Sequence, residues 1–255
     1  MTKTFPTPRL SKSKIISGRQ CERRIWLEVY RPELRRFNPI QRARLQRGTD
    51  FGVLARALLG GGELVDFGHD HRSAISRTSE LLGSANPPEH IFEAAITHQN
   101  VIVRVDALRT IGNEFDLIEV KSSTEVKEYF IEDCAIQTWV ARGAGLPIRR
   151  VMLGLLNPNV GISDWSRSGE SLRLQDVTDQ VSERLAKVHV WVRRFESVLH
   201  SPEPSIIPGP QCIVPFGCPF VHRCGPTRLP PACESTERRS HPDTSAEDSS
   251  TPSAC

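Results

Sequence analysis

Apolar positions along the chain change period twice, and the changes divide it into three stretches. From Ser11 to Leu59 they recur at helical intervals. Ser11 stands where it can cap a helix running into Ile15 and Ile16, and Ile25, Trp26 and Val29 predict a second helix over 21–30. Leu45, Phe51, Val53, Leu54 and Leu58 predict a third over 40–59, ended by Gly60-Gly61-Gly62. The period then falls to two. Residues 91–96, 101–109 and 115–121 read as consecutive strands, with linkers short enough for hairpins, the second carrying Gly112-Asn113. Helical spacing returns over 128–142 through Ile131, Ala135, Ile136 and Trp139. The nearly continuous apolar run 150–156 suits a buried central strand, and a last helix is predicted over 179–199. Strands in succession, a crossover helix and a further strand predict an α/β fold: a mixed central sheet flanked by helices, with a helical N-terminal region.

The ends read differently. Residues 226–255 hold fifteen Pro, Ser or Thr and almost nothing large and apolar, so burial cannot offset their ordering entropy and disorder is expected. The first eight residues also read as loose, leaving 9–225 as one domain. No apolar run is long enough for a membrane span and Met1 to Leu10 lacks a signal-peptide core, so a cytoplasmic protein with no membrane partner is expected. The net charge of +3 conceals an asymmetry: residues 1–60 carry fourteen Lys or Arg against four Asp or Glu. Such a basic surface suits a polyanion such as DNA, although a solvated Arg-rich helical face has the same composition.

Within the strands, Asp106 lies among Val103, Val105 and Leu108, and Glu119 and Lys121 close the next strand. Positions i and i+2 share a face, so Glu119 and Lys121 point together, Val120 points into the core, and Asp106 can lie opposite Glu119. Two carboxylates, the Val120 carbonyl and waters form an all-oxygen donor set suited to Mg²⁺ or Mn²⁺. A metal held there would activate water and stabilise charge on a phosphoryl oxygen, with Lys121 orienting the water or neutralising the transition state. The bland alternative is an edge strand whose charges face water.

The wording Arg104-Val-Asp106-Ala-Leu, then Leu117-Ile-Glu119-Val-Lys121-Ser-Ser-Thr124, resembles motifs II and III of the RecB-like branch of the PD-(D/E)XK nucleases. Ile91-Phe-Glu93-Ala resembles the strand carrying an accessory acid, and Asp133-Cys-Ala-Ile-Gln137 the helix carrying the motif glutamine. The resemblance implies a restriction-endonuclease-like core and a metal-dependent nuclease, an exonuclease on DNA ends or single strands. It further implies Asp106 and Glu119 as metal ligands, Lys121 as catalytic lysine, Gln137 in support and Glu93 as accessory. Two departures stand out. Gly52 occupies the place of the family's first-helix histidine, and Ala141 that of its Gln-x-x-x-Tyr tyrosine. The missing histidine leaves metal preference open and keeps alive an inactive relative that binds nucleic acid without cutting it. Asp50 is a positional substitute for it.

Seven cysteines in a chain with no export signal point to metal rather than disulfides. Cys212, Cys218 and Cys224 form a C-x5-C-x5-C run, wider than the usual C-x2-4-C pairs of structural zinc, and Cys21 is the obvious fourth thiolate. Cys134, three residues before Gln137, suits the core instead. One early and three late cysteines around the nuclease motifs resemble the iron–sulfur nucleases, including CRISPR-associated RecB-like exonucleases and AddB-type helicase–nucleases. They also resemble a bacterial family of uncharacterised proteins sharing this core and the wording LSKS and EVKSST. The resemblance implies a [4Fe–4S] cluster on Cys21, Cys212, Cys218 and Cys224 that pins the ends of the domain together, with zinc as the alternative. Other features are set aside. Gly60-Gly61-Gly62 lacks the Lys-Ser/Thr of a P-loop, His69 and His71 suit a surface loop, and His222 packs beside the cysteines. Trp26, Trp139 and Trp191 read as core residues, and Trp165 is the one aromatic placed to stack on a base.

Overall fold

The computed structural model describes residues 8–160 and 171–225; the expectations for residues 1–7, Trp165 and the tail 226–255 lie outside them. A short strand β1 (Leu10–Ser11) leads into α1 (Lys12–Gln20), α2 (Glu22–Tyr30) and the long α3 (Pro39–Leu59). After β2 (Glu63–Leu64) and α4 (His71–Leu82) come β3 (His90–His98), β4 (Val101–Ile111) and β5 (Glu114–Lys121). Helix α5 (Glu128–Gly143) crosses to β6 (Ile148–Leu156), followed by β7 (Leu172–Asp176), α6 (Thr178–Ser182) and α7 (Leu185–Leu199). The strands form one seven-stranded mixed sheet ordered β2-β3-β4-β5-β6-β7, with β1 added beside β4. Helices flank this sheet.

Local chemistry accounts for the boundaries. Ser11 caps α1, accepting from the Lys14 N–H; Asn38 and Gln41 form a reciprocal capping box on α3, and Gly60 at φ 88° ends it. Gln99 and Asn100 both hold positive φ in the β3–β4 hairpin, the two-residue turn that matches strand twist. The Asn100 carbonyl accepts from the Leu10 N–H at 3.1 Å, anchoring the N-terminal segment to that turn.

Three expectations need correction. The last helix is two, interrupted at Glu183-Arg184, where Arg184 forks onto Glu128 of α5 at 2.7 and 2.9 Å. The segment around His71 is not simply a loop: Asp70 accepts from the Arg72 and Ser73 N–H groups and starts α4. And β5 is no edge strand: it lies between β4 and β6, although its pairing with β4 stops at Ile118.

The main core lies between the sheet and α1, α4, α5 and α7, where Ile15, Leu117, Ile136, Leu153, Trp191 and Phe195 are buried. Trp139 packs partly buried against it, and Cys134 sits within it, fully covered. A smaller cluster of Phe92, Ala107, Ile118 and Met152 forms on the other face, where Leu59 of α3 packs. Phe92 and Ala94 belong to different clusters, as do Ala107 and Val105, although residues two apart on a strand ordinarily share a face. Between them lie Glu93, at φ 55°, and Asp106.

Candidate active site

Along one edge of β4, pairing with β5 ends at Ala107↔Ile118, and pairing with β1 occupies only Val101 and Ile102. The sheet forks between these ladders. Strand β5 leaves β4 but stays paired to β6 through Glu119↔Leu153, Val120↔Gly154 and Lys121↔Leu155. Asp106 stands at the branch point and bridges it with its side chain: the Val120 N–H donates to Asp106 Oδ2 at 2.7 Å.

A dense polar network fills the fork. Glu119 is only 2% exposed, yet both its oxygens have partners. Lys121 Nζ and Lys12 Nζ each donate to Oε1 at 2.7 Å, and Gln137 Nε2 donates to Oε2 at 2.7 Å. Lys121 also donates to Asp133 Oδ2 at 2.5 Å and lies over the Phe130 ring. Gln137 is fully buried, and its Oε1 has no partner among the described residues. Charges facing water are therefore excluded for Glu119.

The electrostatics follow from burial against pairing. Burial would raise the Glu119 carboxyl, but Lys12 and Lys121 outweigh it and hold the group well below the usual carboxylate range. Asp106 goes the other way. Burial and then the Glu119 charge push it up to about 7, more than the lysines and the Val120 N–H pull it down. Lys121 is held well above its ordinary value because Glu119 and Asp133 overcome its desolvation. Two adjacent acids of opposite tendency mark a centre short of positive charge.

Asp106, Glu119, Val120 and Lys121 line a cleft of about 390 Å³, with Glu93 beside them. The opposing wall is α3, through Leu45, Gly48, Thr49, Gly52, Val53 and Arg56. Val120, expected in the core, is half-buried and faces this cleft. Glu93 adopts a left-handed backbone uncommon for its type and pairs with Arg56 at 3.5 Å and Arg104 at 3.9 Å. Gly52 falls inside the cleft wall, and the space a side chain would take there is open. Asp50 does not fill it. It is exposed, accepts from Gln46 Nε2 and is not part of the cleft.

Two residues of the network went unassigned in the sequence. Lys12 is 107 residues from Glu119, and Asp133 had no role beyond its place in a motif. Lysine in the first turn of α1, where the helix dipole disfavours a cation, was the available signal for Lys12.

The cysteines meet elsewhere. Cys21, between α1 and α2, lines a cavity of about 10 Å³ together with Cys212, Cys218 and Cys224, and with Arg23 and Arg24. Arg23 Nη1 donates to Cys224 Sγ at 3.6 Å. Burial pushes the Cys218 and Cys224 thiols up, and Cys21 and Cys212 add to it against the pull of nearby arginines. Gln20 Nε2 donates to the Gln211 and Phe216 carbonyls at 2.7 and 2.6 Å, tying the late cysteine segment to the end of α1. That segment also holds α3, since Gln41 Nε2 donates to the Gly217 carbonyl and Arg44 stacks on Phe216. Arg35, Arg36, Arg42 and Arg47 are exposed nearby.

Among the described residues, no three His, Cys, Asp or Glu side chains are grouped as ligands of one ion. The donor chemistry still fits two different groups. Two carboxylates and a carbonyl match Mg²⁺ or Mn²⁺, which keep several waters. Four thiols beside two guanidinium groups match a soft metal, although they ring their cavity without gathering on one point. Among the described residues, no helix is long and apolar enough to cross a membrane.

No family model matches this chain, and no curated protein does. Among solved structures it is similar to one described as the crystal structure of SSO0001, with 13% identity over 88% of this chain and 89% of that one. The TM-score is 0.38, a likeness too loose to carry an argument about fold or function.

Proposed function

We propose that this chain is a divalent-metal-dependent nuclease with a restriction-endonuclease-like core, acting on DNA at ends or single strands. One observation carries the reading: Asp106, Glu119 and Lys121 line one cleft at the fork of the sheet, with Asp106 bonded to the Val120 N–H at 2.7 Å. Asp106 and Glu119 would hold Mg²⁺ or Mn²⁺ with help from the Val120 carbonyl. The bound ion supplies an activated water and stabilises charge on the phosphoryl oxygen. Lys121, kept protonated between Glu119 and Asp133, presents a fixed positive charge to the scissile phosphate. Gln137 holds the Glu119 rotamer from α5, and Glu93 holds Arg56 on the opposite wall. The exposed arginines on and before α3 suit the phosphates of a nucleic-acid strand. A cytoplasmic setting, with reduced thiols, accompanies this reading.

The four cysteines would hold a [4Fe–4S] cluster or one zinc ion. Their wide spacing favours the cluster and their small cavity favours the single ion, so iron, sulfide and zinc analysis of the purified chain decides.

The test is degradation of a labelled single strand and a plasmid with Mg²⁺ or Mn²⁺ by wild type, Glu119→Ala and Lys121→Ala. Loss of cleavage in both variants is expected; equal degradation by all three would assign the activity to a contaminant. One observation favours a second reading, a catalytically inactive nucleic-acid-binding module: both Glu119 oxygens already have donors. Strand binding without cleavage in either metal would select it.

A further inference from the structure

The three donors to Glu119 are not equally committed. Gln137 is fully buried on α5, and Lys121 is shared between Glu119 and Asp133 and covered by Phe130. Lys12 has Glu119 as its one hydrogen-bond partner among the described residues, and a fifth of its side chain is exposed, at 21%. It is the donor most easily withdrawn.

Its backbone, by contrast, is fixed. Leu10 and Ser11 pair with Val101 and Ile102, Leu10 is fully buried, and Ser11 caps the helix that Lys12 begins. The ammonium is thus delivered to the fork by a dedicated strand of two residues, against the local preference for an acid at a helix start. With Asp106, Glu119 and Asp133 ionised, Lys12 and Lys121 leave the centre one positive charge short of balance. Withdrawal of Lys12 doubles that deficit to the charge of one divalent ion.

We propose that Lys12 is the exchangeable counter-ion of Glu119: its ammonium holds Oε1 in the metal-free protein and gives up that oxygen to the divalent ion. Lys12 is then a positioning residue. It keeps the Asp106 and Glu119 carboxylates from repelling each other until the metal arrives, and the N-terminal segment and the metal become alternative partners of one carboxylate. This rests on the metal-dependent reading of the cleft.

Mn²⁺ titration of the full chain, followed by electron paramagnetic resonance or calorimetry, tests it without reference to cleavage. Lys12→Met is expected to bind Mn²⁺ about fivefold to tenfold more tightly than wild type, because a competing cation has gone. Lys12→Arg, which keeps the charge, is expected to bind as wild type does. Lys12→Gln keeps a donor and loses the charge, so it tightens binding in the same sense and decides the matter should Lys12→Met fail to fold. Unchanged or weaker binding in the neutral variants overturns the inference and leaves the nuclease reading intact. Absence in wild type of any Mn²⁺ site that Glu119→Gln removes overturns both.

Discussion

In the acidic cleft every polar group hangs from a strand or helix whose ladder holds without a ligand. Asp106 and Glu119 sit on paired β4 and β5, Lys121 follows on β5, and Gln137 is locked into α5. In the cysteine cavity the thiols come from a helix junction and a segment of turns, joined across roughly 190 residues of chain. Polar contacts such as those of Gln20 brace that segment, but its large apolar groups are few, and Ile207, Ile213 and Val214 are exposed. On the proposed reading the difference separates two roles: the cleft would use an ion for chemistry, whereas the cysteine segment would use one for its own order.

The largest expected effect breaks the cleft alone. Lys121→Met is expected to lower single-turnover cleavage by about 10²- to 10³-fold, the scale of losing one fixed charge at a transition state. Next comes the cavity. Cys21→Ser is expected to abolish the proposed iron or zinc content and to lower the melting temperature by about 10 °C, as loss of a long crosslink does. Metal analysis and calorimetry check it, and EDTA removal of Mg²⁺ from wild type should move melting far less. A third test separates the two acids. Because Asp106 titrates at about 7 in the folded chain against 3.8 ordinarily, its contribution to metal-free stability is fully present below pH 3.8 and is lost as pH rises to about 7. Asp106→Asn is therefore expected to stabilise the EDTA-treated protein, by a margin that grows across that window and levels off above it in urea melts. The smallest effect is a control: Asp50→Ala should change neither cleavage nor stability by more than about 0.5 kcal/mol, since that side chain is exposed and outside the cleft.

Much of the cleft was legible because its pieces lie within one hairpin. Alternation placed β3, β4 and β5 within a few residues, and the spacing of Asp106, Glu119 and Lys121 followed from strand geometry. The fork itself was not legible, since β1 and β2 are two residues each and too short for any period to declare. Lys12 therefore stayed hidden, its partner lying on the far side of a pairing that no local pattern encodes. Helix α4 was a missed signal of another kind. Asp70 before Ala74, Thr78 and Leu81 is a cap ahead of a buried stripe, but the polar residues between them masked it. The four cysteines were paired from spacing and resemblance, and the common cavity needed the folded chain.

Helix α3 behaves as a beam with unlike supports. Near its start it is fastened to the late cysteines by Gln41 and Arg44; farther along it roofs the acids with Gly48, Gly52 and Arg56. A rigid rod converts slack at one support into tilt at the other. The contacts at Gly217 and Phe216 therefore bear on the same helix that covers Asp106.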